Sequence, residues 1–252
     1  MWDLKNKKAV ITGGTKGIGR ACVLEFLDLG AEVMFTARNK ADIEKFTEEL
    51  KKDGFKAYGL VADSSKKEDR EKIGEWVNSN WDKLDILVNN AGINIRKKAK
   101  DYSEEEYRKV LEINLIAPFE ISRILYPHLQ SSGNASIINI ASSAAIQDVG
   151  TGTPYAMSKS GLLQQTRSLA AEWASDGIRV NAVSPWFIKT PLTKGYLEDH
   201  ERMESILSRT PLNRVGDPEE ISAVVSFLAM NKSSFVTGQN IIADGGMSIK
   251  AL

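Results

Sequence analysis

The sequence predicts an α/β fold in which a mostly parallel, doubly wound sheet carries helices on both faces. Three observations predict it. Short apolar runs alternate with longer amphipathic stretches along the whole chain. Several of those runs are apolar at consecutive positions, as strands covered on both faces are. Loops rich in glycine or proline recur directly after strands, at Gly13-Gly14, Asn89-Asn90-Ala91-Gly92 and Pro185-Trp186. That carboxyl edge is where ligands bind in open α/β sheets.

The elements follow in order. Strand 9–12 leads into helix 17–29, which Gly30 stops; strand 32–36 leads into helix 40–52, stopped by Gly54. Strand 57–61 precedes helix 66–81, and strand 86–88 precedes a long helical pattern over 104–130. Strand 136–140 is followed by helix 154–175 before Gly177, and strand 179–183 closes that unit. Asp217-Pro218-Glu219-Glu220 supplies an N-cap, a first-turn proline and early acids for helix 218–230, ahead of the seventh strand, 240–243. With no internal repeat and no linker composition, residues 1–252 are expected to form a single domain.

Composition narrows the function. The chain has 252 residues, 42% hydrophobic and 26% charged, which is ordinary globular usage and speaks against disorder. The 33 Lys and Arg balance 33 Asp and Glu, so no net charge attracts nucleic acid or an anionic membrane. Cys22 stands alone and fits a reducing compartment. His128 and His200 share no metal-ligand spacing with each other or with Cys22, so neither a zinc site nor a histidine triad is expected. The N-terminus lacks a signal-peptide core and no window approaches a membrane span, so the expected location is cytoplasmic.

Three motifs carry chemistry. In Thr12-Gly13-Gly14-Thr15-Lys16-Gly17-Ile18-Gly19 a strand runs through a glycine turn into a helix start. There backbone N–H groups can approach a pyrophosphate. A plain tight bend would use glycines too. The spacing is G-x-x-x-G-x-G, not the standard dinucleotide G-x-G-x-x-G. At the end of the second strand, where NAD enzymes tend to place an acid for the ribose 2′-hydroxyl, the chain has Arg38; with Lys16 it can converge on a 2′-phosphate, which predicts NADP. Two solvated cations are the bland alternative. Finally, Tyr155 and Lys159 lie four apart after Thr153-Pro154, an N-cap and first helical position, and so share a helix face. A neighbouring ammonium is expected to lower the phenol's pKa from about 10, making it a usable acid–base group. Ser142, at the end of the fifth strand, can hydrogen-bond the reacting oxygen, although local pattern does not separate it from Ser143.

With these motifs, and with Asn89-Asn90-Ala91-Gly92, Asn114 and Asp244-Gly245-Gly246 in the same order, the chain resembles the short-chain dehydrogenases/reductases of the classical type from about residue 7 to 246. The stretches Ala99-Lys100-Asp101-Tyr102-Ser103, Glu172-Trp173-Ala174 and Val236-Thr237-Gly238-Gln239 look most like the tropinone-reductase-like branch. The resemblance implies a Rossmann-type sheet, NADP(H), a homotetramer built on the long helices, and roles for marked residues. Ser142 would orient the substrate oxygen, and Tyr155 would give or take the proton. Lys159 would hold the nicotinamide ribose, and Asn114 a water linking Lys159 to solvent. Gly13, Thr15, Lys16, Gly17, Ile18 and Gly19 would cradle the phosphates. Asp63 would meet adenine, Asn90 and Gly92 the ribose, and Pro185, Ile188 and Thr190 the nicotinamide side. Pro185-Trp186 replaces the family's usual Pro-Gly, which changes the expected cleft shape.

The expected function is an NADPH-dependent carbonyl reductase, reversible toward secondary alcohols. Its substrate is a small, moderately apolar ketone, lined by Ile93, Ile95, Ile146, Val149 and Trp186 and covered by an amphipathic lid helix over 190–209. A 3-oxoacyl-carrier reductase uses the same residues and remains open. A non-catalytic NADP-responsive module would predict a broken Ser/Tyr/Lys/Asn set, and this chain keeps all four. The loops Ile93–Arg96 and Ala144–Gly152 are expected to supply further walls of the cleft, and the triplet Arg96-Lys97-Lys98 reads as a solvated approach to a helix.

Overall fold

The computed structural model describes residues 2–250. One all-parallel sheet has the strand order β3-β2-β1-β4-β5-β6-β7, with β1 at Lys8–Thr12, β2 at Glu32–Ala37, β3 at Ala57–Val61, β4 at Ile86–Asn89, β5 at Ala135–Ile140, β6 at Ile178–Pro185 and β7 at Asn240–Ala243. The consecutive apolar runs have a simple cause. Val10 pairs with Met34 and Leu87, and Leu87 with Ile137, forming one row across the sheet; Ile11 pairs with Phe35 and Val88, and Val88 with Ile138, forming the next. Because side chains alternate faces along a strand, the two rows point in opposite directions, and both must be apolar.

The helices are α1 (Gly17–Asp28), α2 (Lys40–Lys52), α3 (Lys67–Asn80), α4 (Glu104–Leu111), α5 (Ala117–Ser132), α6 (Thr153–Trp173), α7 (Lys194–Leu197), α8 (His200–Arg209) and α9 (Pro218–Ala229). Phe26 of α1, Phe46 of α2 and Val225 of α9 bury against the Ile11 row. Val77 of α3, Leu125 of α5 and Trp173 of α6 bury against the Val10 row. Each fully buried side chain of this kind contributes roughly 1.5–3 kcal/mol of transfer free energy. Gly30, Gly54 and Gly177 all have positive φ, as their stop positions predict.

Two expected helices are divided. The pattern over 104–130 is α4, then a single π-helical turn over Glu112–Ile116, then α5. Pro118 explains the break: it lacks the N–H that a regular helix would donate to the Asn114 carbonyl, and its ring would press on that oxygen. The Ala117 N–H reaches instead to the Glu112 carbonyl, five residues back. The 190–209 segment is two helices, because the Asp199 carboxylate takes the Arg202 N–H at 3.1 Å and starts α8 afresh. After β3 the chain crosses to β4 on the far side of β1, so the connections from β1 and β4 leave toward opposite faces. A crevice opens between their carboxyl ends. Among the described residues no helix is long and apolar enough to cross a membrane, and no cluster of His, Cys, Asp and Glu could hold a metal ion.

Candidate active site

A cleft of about 860 Å³ runs along this carboxyl edge, from the end of β3 to the loop after β6. Its wall includes Gly13, Thr15, Lys16, Gly17 and Ile18 from the glycine turn, Arg38 and Asp63 from the next two strand ends, and Asn90 and Gly92 after β4. On the other side it includes Ser142, Tyr155, Lys159, Pro185, Ile188 and Thr190. Gly19 lies behind that surface. A Cβ there would collide with the Gly13 carbonyl oxygen and the Asn90 amide, so its smallness lets the turn close. Gly13 itself has φ +69°, in the left-handed region.

The β4 loop fastens this turn. Asn90 Nδ2 donates to the carbonyls of Thr12 at 2.9 Å and Gly13 at 3.1 Å, and the N–H groups of Asn90 and Ala91 both donate to Thr12 Oγ1 at 3.0 Å. The Asn90 amide nitrogen is therefore committed to the turn. The Thr12 hydroxyl, not singled out from sequence, is the hub. Helix α1 starts with no side-chain cap and no acid in its first turn, which leaves its amide hydrogens facing the cleft for an anion. A dinucleotide's pyrophosphate fits that donor set.

At the adjoining edge the two cations separate in role. Arg38 is exposed and makes no hydrogen bond or ion pair among the described residues, whereas Lys16 Nζ lies 2.6 Å from Asp42 Oδ2, so the second cation is partly neutralised. Asp63 Oδ1 accepts from Ser65 N–H at 3.0 Å and Ser65 Oγ at 2.7 Å, capping the turn that enters α3.

The opposite end holds the reactive groups. Gly152 takes the N-cap position and α6 begins at Thr153, one residue earlier than expected, with Tyr155 and Lys159 one turn apart on the cleft side. Lys159 is buried; its Nζ donates to the Ile140 carbonyl at 2.7 Å and lies 5.8 Å from the Tyr155 ring centre. Burial lowers its pKa to about 8. Burial also pushes the Tyr155 phenol above its ordinary value, and the Ser142 hydroxyl against it and the Arg96 charge oppose that rise without reversing it. The expectation of a phenol pKa lowered by Lys159 is thus not met: desolvation wins. The structure also separates the two serines. Ser143 is buried with its hydroxyl on the Pro185 carbonyl at 3.1 Å, and Ser142 lines the cleft. Asn114, in the π turn, gives Nδ2 to the Ile93 carbonyl at 2.9 Å and takes the Ile93 N–H on Oδ1 at 2.9 Å, and a further bond joins it to Ser158 Oγ at 3.2 Å. Its side chain is fully used. Its main-chain carbonyl is the one that Pro118 leaves without the usual donor.

Of the expected substrate walls, Ile93 and Trp186 line the cleft and Ile95, Ile146 and Val149 do not. Trp186 is held by Nε1 donating to Thr210 Oγ1 at 3.1 Å and by edge-on packing against Phe187 at 4.7 Å. Phe187 stacks on Tyr196 of α7 at 5.4 Å, and Ile206 of α8 buries in the same small cluster, so the two short helices sit beside the cleft mouth. Arg96, expected to be solvated, is half-buried with its guanidinium 5.1 Å from the centre of the Tyr196 ring.

Comparison with known proteins agrees with this geometry. A family model described as enoyl-(acyl carrier protein) reductase matches residues 13–248. A tropinone reductase homologue of Arabidopsis thaliana is 45% identical over 249 residues, covering 98% of this chain and 94% of the relative. Among solved structures, a putative NAD(P)-dependent gluconate 5-dehydrogenase of Beutenbergia cavernae with bound NADP superposes at TM-score 0.94 and 34% identity, covering 99% of both chains. A gluconate 5-dehydrogenase of Burkholderia cenocepacia in complex with NADP and tartrate superposes at TM-score 0.95 and 28% identity, covering 99% of this chain and 98% of the other. The glycine turn, the Ser-Tyr-Lys-Asn grouping and these likenesses together establish that the chain belongs to the short-chain dehydrogenase/reductase family, in its tropinone-reductase-like branch, as an oxidoreductase of CH–OH and C=O groups.

Proposed function

We propose that the protein is an NADPH-dependent carbonyl reductase acting reversibly on a small ketone, with Tyr155 as proton donor. The observation that carries this reading is Tyr155 in one cleft with Ser142, Lys159 and an uncapped α1 N-terminus. NADP-bound structural relatives support the choice of cofactor, as does Arg38, which has no partner among the described residues and would lie by the 2′-phosphate.

Bound NADPH supplies the hydride. The chain's residues do the rest. Ser142 hydrogen-bonds the substrate oxygen, and Tyr155, kept protonated at neutral pH by burial, gives that oxygen its proton. Lys159 carries positive charge beneath the phenol at neutral pH and steadies the phenolate left behind. Asn114 anchors the Ile93 wall, while its main-chain carbonyl can hold a water toward Lys159. Gly17, Ile18 and Thr190 seat the phosphate and nicotinamide ends. Trp186 and the 190–209 segment close the substrate side against water.

A 3-oxoacyl-carrier reductase needs a basic landing for an acidic carrier. The triplet at 96–98 serves that poorly, because Lys97 is paired with Glu106 at 2.5 Å and Arg96 is half-buried. The proposed assembly is a homotetramer, supported by the exposed apolar Phe119 of α5 and Met157 of α6, with Ile116 of the π turn beside them, and the proposed location is the cytoplasm. The test is NADPH consumption on a panel of free ketones and carrier-linked 3-oxoacyl thioesters. Turnover of free ketones is expected, and turnover restricted to carrier thioesters would replace this reading with the second.

A further inference from the structure

We infer that Arg96 determines specificity by receiving a carboxylate on the substrate, so that the ketones preferred are keto acids. This deepens, and rests on, the carbonyl-reductase reading above.

Among the described residues three arginines are not exposed: Arg70, Arg96 and Arg179. Arg70 binds Glu112 at 2.7 Å and the Ser64 carbonyl at 2.8 Å, and Arg179 binds the Leu228 carbonyl at 2.9 Å and Ser233 Oγ at 3.0 Å. Arg96 alone of the three has no hydrogen bond or ion pair with any described residue; an enclosed Nε without an acceptor is common to all three. A guanidinium partly withdrawn from water is costly unless an acceptor replaces the water. A planar fork of donors is the group best matched to a carboxylate.

The placement is fixed in advance. Asn114 clamps both main-chain groups of Ile93 at 2.9 Å, the Tyr102 hydroxyl donates to the Ile95 carbonyl, and the Lys97 N–H donates to that hydroxyl at 3.3 Å. Arg96 is therefore carried on backbone held on either side. Its guanidinium lies 5.1 Å from the centre of the Tyr196 ring, and Tyr196 packs in one cluster with Trp186 of the cleft wall, so the charge sits beside the cleft mouth and is felt at the Tyr155 phenol. A substrate whose carbonyl oxygen meets Tyr155 can then set a carboxylate against Arg96. Two residues before it, the Asn94 side-chain oxygen is likewise buried without a donor.

The experiment compares acetoacetate with methyl acetoacetate, and levulinate with methyl levulinate, by NADPH consumption at neutral pH. The wild-type enzyme is expected to favour each acid over its neutral ester at least tenfold in kcat/KM. Arg96→Gln should cost the acids roughly 10–100-fold, mainly in KM, leaving the esters within threefold and NADPH affinity unchanged. Arg96→Lys should restore part of the preference. Equal losses on acid and ester would overturn the proposal and make Arg96 a latch for Tyr196. A wild-type preference for the esters overturns it without any variant, even if Arg96→Gln fails to fold. Absence of turnover on every ketone would sink the carbonyl-reductase reading itself.

Discussion

The Lys159 ammonium donates to the Ile140 carbonyl at 2.7 Å, tying α6 to the last residue of β5 from inside the cleft. No carboxylate pairs with that ammonium among the described residues, so the position of the charge is bought with desolvation. The depression of its pKa measures the cost.

Replacing Lys159 by Met should remove activity and stabilise the fold. A fall from 10.5 to about 8 corresponds to about 3 kcal/mol against the charged form. Losing the Ile140 hydrogen bond gives back about 1 kcal/mol. Because the folded pKa lies below the unfolded one, the penalty is complete below about pH 8 and vanishes as pH rises past 10.5. Melting curves should therefore show the variant ahead of the parent at neutral pH, by a margin that shrinks in alkali.

The two directions of reaction should respond oppositely to pH. Reduction needs the protonated phenol, which burial favours, so its rate should be level through neutrality and decline as Lys159 loses its proton near pH 8. Oxidation needs the phenolate and should climb with pH over the neutral range. Steady-state profiles of kcat/KM in both directions check this, and a reduction rate that rises with pH would contradict the assignment of Tyr155.

Tyr155→Phe should lower kcat by about 10²- to 10⁴-fold while NADPH binding, followed by fluorescence titration, stays within twofold. The ring packs as before and only the proton is lost.

At the other end of the cleft, Arg38→Asp should weaken NADPH by at least about tenfold and shift preference toward NADH. Asp42→Asn should act in the opposite sense, because it frees Lys16 from its 2.6 Å ion pair. Dissociation constants for both cofactors test the pair of variants.

Much of this was legible in the chain. Val10 and Ile11 are both apolar because both sheet faces are covered, and that doubling marks buried parallel strands. Tyr155 and Lys159 are found by spacing because a helix turn brings fourth neighbours together. Ser142 could not be told from Ser143 until the Pro185 carbonyl claimed the latter. The interruption at Asn114 had a signal in Pro118, and the break before α8 had one in Asp199. Arg96 had none. It sits in a run of three cations, and only the folded chain sets Tyr196 beneath it. Ile95, Ile146 and Val149 lie in loops, where no periodicity says which way a side chain turns.

The widened turn after α4 also sets the phase of everything that follows it. At 3.6 residues per turn, one residue more or fewer rotates the downstream helix by about 100° about its axis. Were that turn to tighten to regular pitch, Leu125 and Leu129, now fully enclosed, would swing off the sheet and polar positions would take their place. The irregularity at Asn114 therefore aligns a whole helix with its strands as well as shaping the cleft, and a single imino acid at position 118 governs both.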